Sequence, residues 1–346
     1  MANVNIDDVR NSMKERVATF TDVFGVALDN GFGIMDFKNW AVDEKYVLRR
    51  ETLGNISQPG KTGTVVHTPG FYSTSTREGK LEPGKVDLLF EEEEIEEINN
   101  SFMQDVNPSD VDDVASMAGV NYIADRVFAK IGAENNASYY SAEKGSIPFG
   151  LLAGAAQGGL NIIDGLNAKF DDAIAALEIP AGNIVAKTAP VTSANVVATI
   201  KKIIDKVYSI DYIRGEMSNP SFNDVTYSII CPSEWEGHLI DAFDALLYKN
   251  DQTLRYDSTT GLFVPKKLKR TAIKFRSYMD RSDGDAFFSP DNNLFNLTQK
   301  GKSGDTARSR CTMKVQEKDR GFQWLIDWKY NIDFADGRFI VPHRAI

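Results

Sequence analysis

Residues 225–247, VTYSIICPSEWEGHLIDAFDALL, constrain the fold more than any other stretch, because they demand a buried strand and a helix lying back on it. Val225, Tyr227, Ile229 and Cys231 alternate with Thr226, Ser228 and Ile230, the period of a strand with at least one covered face. Pro232 ends the strand. Ser233 stands three residues before Glu236, the spacing of a capping box at a helix start. Trp235, Leu239, Ile240, Phe243, Leu246 and Leu247 then recur at helical spacing and predict one broad apolar face packed on the strand. The unit carries no nucleophile, metal cluster or phosphate loop, so its role is architectural.

The chain around it is 346 residues long, enough for two compact domains or for one with long excursions. Hydrophobic residues make up 42% and aromatic residues 10%, a composition that supports a large core. A formal net charge of -10 argues against a surface that grips nucleic acid, which needs clustered Lys and Arg. Two cysteines, Cys231 and Cys311, are too few for a disulfide framework and fit a reducing cytoplasm. The first twenty residues have acidic members and no apolar core, unlike a signal or transit peptide. The apolar run Phe149 to Ile163 is interrupted by Gln157 and Asn161 and is too short to span a bilayer, so no membrane partner is expected.

In chain order, residues 4–28 read as a helical arm with Val9, Met13, Val17 and Phe20 on one stripe, followed by the glycine break 29–33. Residues 46–90 are punctuated by Gly54, Gly60, Gly63, Gly70, Gly79 and Gly84 and by Pro59, Pro69 and Pro83, with short β-prone pieces such as TVVHT and KVDLLF between them. Such a limb has few large side chains for a core of its own, and a lone hairpin is marginal in water. It either folds over its own domain or lies on a neighbouring copy. Glu91, Glu92, Glu93 and Glu94 begin an acidic run at a helix start, where the positive end of the helix dipole favours them. A contact to basic segments of another copy is the sharper alternative. A long helix is predicted from Ser109, capped by Asp112, through Val111, Val114, Ala118, Tyr122 and Val127 to about Ile131, and a short one over Phe170 to Leu177. Another opens at Ser193 with Val196, Ile200, Ile203, Ile204 and Val207 as its buried stripe.

Lys266, Lys267, Lys269, Arg270, Lys274 and Arg276 surround a later strand. Without interleaved aromatics they predict a solvated edge strand, with an inter-subunit contact to the acidic run as the second reading. The C-terminal part reads as a β-meander with turns at Gly321 and at Asp336-Gly337, the latter a hairpin signal. Trp324, Ile326, Trp328, Tyr330 and Ile332 form one apolar face of its long strand.

Chemical motifs fail on inspection. Pro59–Thr64 resembles the tail of a phosphate loop, but the required earlier glycine is missing and a strand follows it. Ser141–Lys144 matches the SxxK pattern without its companion motifs, and Asp280–Asp285 reads as a turn, its glycine one place early for a calcium loop. His67, His238 and His343 are scattered, with no metal spacing among them. No catalytic, cofactor-binding or metal residue is assigned and no cofactor is expected. A soluble α+β enzyme with an unrecognised site is the weaker class, and a binding or assembly protein the stronger.

The succession of helical N-terminal arm, glycine-punctuated β limb, long helix, and NDVTYSIICPSEWEGHLIDAF resembles tailed-bacteriophage major capsid proteins of the Hong Kong ninety-seven type, whose fold encapsulin shells share. NVVATIKKIIDKVYSI before that unit, DAFFSPDNNLFNLTQ after it and the closing MKVQEKDRGFQWLIDWKYNIDFADGRFIVP extend the resemblance over nearly the whole chain. It implies an α+β phage capsid fold with an N-terminal arm (1–45), an extended β-hairpin E-loop (46–92) and a peripheral domain with a spine helix (93–192). An axial domain (193–310) would follow, and then C-terminal strands (311–346) that return to the peripheral domain and end at the axial one. It implies a major capsid protein that forms pentamers and hexamers and closes into an icosahedral shell around double-stranded DNA, the DNA being enclosed cargo. An encapsulin-like cargo shell is the nearest alternative.

A separate scaffolding protein and a portal are implied partners, with the virion capsid as location and the host bacterial cytoplasm as the place of assembly. Glu91, Glu92, Glu93 and Glu94 and Lys266, Lys267, Lys269 and Arg270 are the candidate inter-subunit contacts. Some members join a lysine to an asparagine. Lys61, Lys80 and Lys85 lie in the limb and Asn292, Asn293 and Asn296 in a later loop, but nothing else in the sequence supports that reaction and no covalent cross-linking is expected.

Overall fold

The computed structural model describes residues 17, 20–28, 30, 36–53, 72–91, 93–94, 97, 111–145, 161–218, 225–244, 254–257, 262–268, 270–280, 284–301, 311–318 and 321–345. Along the chain come β1 (Lys38–Val42), β2 (Lys45–Leu53), β3 (Tyr72–Lys80), β4 (Glu82–Phe90), α1 (Val111–Ser141), α2 (Leu166–Ala175), β5 (Val185–Ala186), α3 (Val196–Ser209) and α4 (Asp211–Ser218). They are followed by β6 (Tyr227–Pro232), α5 (Glu234–Asp244), β7 (Leu254–Asp257), β8 (Leu262–Pro265), β9 (Thr271–Arg276), β10 (Ala286–Pro290), β11 (Leu294–Gln299), β12 (Cys311–Lys318), β13 (Gly321–Phe334) and β14 (Val341–Arg344). The chain divides into two compact units, the first of Met1–Glu44, Leu81–Ala168 and Asn296–Ile332, the second of Lys45–Lys80, Lys169–Phe295 and Asp333–Ile346.

The first unit is built on β13. Its sheet runs β1-β11-β13-β12, and β4 also pairs with β13. Trp324, Ile326, Trp328, Tyr330 and Ile332 are all buried, as their alternation predicts. The helical residues 20–28 cover this face: the Phe24 ring lies 5.3 Å from Trp328 and 5.6 Å from Phe128, and Phe20 lies 6.1 Å from Trp324. Phe20, Phe24 and Leu28 are buried, so the described part of the expected arm is core. Gly84, read as punctuation, sits inside β4 opposite Trp328, where a Cβ would come 2.6 Å from the indole. The glycine seats a cross-strand aromatic and makes no turn.

Helix α1 spans 31 residues, about 46 Å, and runs nearly three turns past the expected end. Ile131, Asn135, Ser138 and Tyr139 line its buried side, and the polar Asn135 and Ser138 are what hid this extension. The Ser138 and Tyr330 hydroxyls are 3.2 Å apart, and Tyr139 donates to Asn296 Oδ1 at 3.4 Å. The Ser109–Asp112 cap, the side chains of Val111, Val114, Ala118 and Tyr122, and residues 149–160 lie outside the described residues.

The second unit carries a seven-stranded sheet in the order β5-β14-β10-β6-β9-β8-β7. Strand β6 is buried along its whole length, parallel to β9 and antiparallel to β10. The α3 stripe packs into the same core, with Ile200, Ile203, Ile204 and Val207 fully buried. In α5, Trp235 and Leu239 are buried as expected, but Ile240 is 47% exposed, so the apolar face is narrower than its spacing implied. Phe243, Leu246 and Leu247 lie outside the described side chains. The capping box is replaced. The Ser233 hydroxyl and N–H both donate to Asp280 at 2.7 Å, while the Glu236 N–H takes the Ser233 carbonyl. Helix α2 starts earlier than expected and ends before Leu177, which is exposed and left-handed at φ 59°.

Two further expectations are corrected here. The basic strand is not an edge: β9 lies between β6 and β8, and β7 forms the outer rim. Asp336-Gly337 is not a hairpin turn either, because β13 pairs with β12 and β4 while β14 joins β10 and β5 in the other sheet. A short 3-10 turn over Gly337–Phe339 separates them, and the Asp336 side chain accepts from the Arg338 N–H at 2.9 Å. A Cβ on Gly337 would stand 2.8 Å from the Glu178 carbonyl oxygen, so close approach is what requires the glycine.

Candidate assembly site

The root of the β limb gathers a connected group of ion pairs and hydrogen bonds. Strands β2 and β3 pair from Lys45 with Lys80 to Leu53 with Tyr72. Alternation places Tyr46, Leu48 and Arg50 on one face, with Gly79 opposite Tyr46 and Arg77 opposite Leu48. Tyr46 and Leu48 are buried, whereas Val47, Arg49, Glu51, Thr74, Thr76 and Glu78 on the other face are exposed. Gly79 is a second aromatic seat, since a Cβ there would collide with the Tyr46 ring.

Each strand contributes one arginine to the covered face. The Arg77 guanidinium lies over the Phe334 ring at 4.3 Å, its Nε donates to Asp333 Oδ1 at 2.6 Å, and Nη1 pairs with Glu178. Arg50 lies over Phe339 at 4.1 Å, and its Nη2 meets Glu216 Oε1 at 2.6 Å while Nη1 donates to Asn292 at 3.2 Å. Asp333 is nearly inaccessible and also receives the Tyr46 hydroxyl at 2.8 Å and Lys169 Nζ at 3.5 Å. Burial pulls the Arg77 pKa down, but Asp333 and then Glu178 pull it further the other way, and the net shift is upward.

The floor beneath both arginines is itself fixed. Asn293 donates to the Asp336 carbonyl at 3.0 Å and accepts from the Asp336 N–H at 2.9 Å, and its own carbonyl takes the Ala335 N–H. Beside it opens a cleft of about 240 Å³ lined by Thr74, Thr76, Leu177, Glu178 and residues 334–338.

The residues singled out by sequence behave differently. Glu91, Glu93 and Glu94 are exposed in the first unit, and the Glu91 N–H donates to Glu94 Oε2 at 3.2 Å. Lys266 and Lys267 are exposed between β8 and β9, and Lys267 Nζ pairs with Asp205 at 2.6 Å. Arg270 is half-buried and left-handed at φ 57°, and donates to the Met217 carbonyl at 2.7 Å. Glu92, Lys269, Lys61, His67 and residues 59–64 lie outside the described residues. Arg50, Arg77 and Asp333 were missed, although YVLRRE already placed Arg50 in alternation with Tyr46 and Leu48.

The described residues hold no group of three or more His, Cys, Asp or Glu arranged to bind a metal, and none of their helices is long and apolar enough to cross a membrane. Cys231 and Cys311 are buried thiols outside any disulfide, and burial pushes the Cys231 thiol pKa up, away from reactivity.

His343 in β14 is buried, edge-on to Trp235 at 5.9 Å, with Nδ1 lacking a hydrogen-bond partner. Burial and then Lys187 lower its pKa to about 4, against the pull of a bond to the Gly284 backbone; Lys202 lowers it further, and Lys187 lies 3.5 Å from Asp285. The unfolded imidazole titrates near 6.5, so between that pH and about 4 the unfolded chain binds the extra proton. Stability from neutral His343 is therefore complete above 6.5 and drains as pH falls towards about 4, by at most about 3 kcal/mol. Urea titrations of the parent and His343→Gln across this window are expected to show the steeper acid loss in the parent.

No family model and no curated protein sequence matches the chain. Among solved structures, a chain of the satellite phage P4 procapsid that includes the size determination (Sid) protein is similar at TM-score 0.51 and 9% identity, over 94% of this chain and 100% of that one. The capsid of Myoviridae phage XM1 follows at TM-score 0.46 and 10% identity, over 88% and 87%. The holo-SrpI encapsulin complex from Synechococcus elongatus PCC 7942 follows at 0.43 and 7%, over 88% and 83%. At 9% identity the likeness to the P4 procapsid chain is one of fold, and it extends over nearly all of both chains. This chain has the α+β fold of the Hong Kong ninety-seven-type phage capsid subunit.

Proposed function

We propose that this chain is the major capsid protein of a tailed bacteriophage, assembling through pentamers and hexamers into an icosahedral shell around double-stranded DNA. The observation that carries this reading is the fold, matched along 94% of the chain to a procapsid chain. The limb adds to it: one face of its root is covered by its own unit, while the other face is exposed. In this reading residues 1–45 form the N-terminal arm, 46–92 the E-loop, 93–192 the peripheral domain and 193–310 the axial domain, with 311–346 closing both. The role is structural and not enzymatic, and the site of action is the virion capsid. A scaffolding protein and a portal are the proposed partners, and assembly is placed in the host cytoplasm. The exposed Glu91, Glu93 and Glu94 and the exposed Lys266 and Lys267 remain proposed contacts between copies.

Register supplies a clean test. Leu53 and Tyr72 are directly paired, so residues 54–71 can be replaced by Asn-Gly, which closes two antiparallel strands in a two-residue turn. The shortened chain is expected to fold with an unchanged melting temperature and to form no closed shells by electron microscopy where the parent does. Normal shells from it would remove the limb from assembly.

A further inference from the structure

We propose that Arg50 and Arg77 are positioning residues that preset the direction of the β2–β3 limb before subunits meet; the proposal rests on the assembly reading above. A two-stranded hairpin alone does not hold a direction in water. This one is pinned at three points: Tyr46 on Asp333, Arg77 on Phe334 and Asp333, and Arg50 on Phe339 and Glu216. The two arginines come from different strands, and the phenylalanines beneath them bracket the Asp336-Gly337 turn, which Asn293 locks. Two separated seats on a fixed floor, Asp333–Phe334 under Tyr46 and Arg77 and Phe339–Glu216 under Arg50, define a direction, which a single contact would not. Arginine suits the task because its planar fork stacks on a ring and bonds a carboxylate at once, whereas lysine keeps only the charge. Presetting the limb removes an ordering cost from each subunit contact, and in a closed symmetric shell a misdirected limb repeats its error in every copy.

The test replaces both residues conservatively, Arg50→Lys with Arg77→Lys, in the full chain. Spin labels go on Thr74→Cys in β3 and Ile240→Cys in α5, both exposed, while the native Cys231 and Cys311 are buried. The parent is expected to give one narrow label-to-label distance distribution. The double lysine variant is expected to broaden it about twofold and to lower the yield of closed shells about tenfold, the size of effect that about 1.4 kcal/mol per association produces. An unchanged width, or a broadened width with unchanged shells, would overturn the proposal. Arg50→Lys alone serves if the double variant does not fold. Should the parent form no shells at all, the assembly reading falls separately, and the label widths alone decide whether the arginines set the limb.

Discussion

Phe24→Ala is expected to destabilise the first unit by about 3–5 kcal/mol, the usual cost of emptying an aromatic site that cannot collapse. Phe24 is fully buried between Phe128 and Trp328, on the face of β13 that also carries Trp324. Its removal strips Trp328 of an edge-on neighbour and Phe128 of a tilted one, and leaves a void in a core walled by β13 and α1. Val23, one residue earlier, is 54% exposed, and Val23→Ala should shift stability by no more than about 0.5 kcal/mol. Denaturant unfolding followed by tryptophan fluorescence separates the two, since Trp324 and Trp328 report from the site itself. Equal midpoints for both variants would show that residues 20–28 are a dispensable arm after all.

Asp333→Ala carries the second large effect, about 3–5 kcal/mol, because it removes one partner of a buried ionic cluster. Arg77 and Lys169, with side chains 16% and 10% exposed, would keep their charges and lose the carboxylate between them, and Tyr46 would lose its acceptor. Glu178 also faces Arg77 but is 45% exposed, so Glu178→Ala should cost at most about 1 kcal/mol. Pairing Asp333→Ala with Arg77→Met should recover part of the loss, because the uncompensated charge goes with its partner. If Asp333→Ala and Glu178→Ala unfold at the same denaturant concentration, the cluster is not what holds the limb.

The elements that could be read from the sequence are those whose burial follows a local period. Trp324 to Ile332 in β13 and Val196 to Val207 in α3 announce themselves, because each buried face is apolar and its spacing is regular. The end of α1 was hidden where Asn135 and Ser138 occupy the buried side. Gly79 and Gly84 were misread because a glycine that seats an aromatic ring cannot be told from a turn glycine until its partner strand is known. Asp336-Gly337 misled for a related reason: its geometry is set by Asn293 and Glu178, far away in the chain. The contacts that anchor the limb are the extreme case, since Tyr46 and Asp333 are 287 residues apart and Arg77 and Asp333 are 256 apart. A lone charged residue in a strand reads as solvated until folding brings its counter-ion to it.

Electron microscopy of the purified full-length chain, prepared alone and together with a candidate scaffolding protein, puts assembly to the most direct trial. Closed particles of uniform diameter in at least one preparation are the expected result. A folded, monodisperse monomer in both would contradict it.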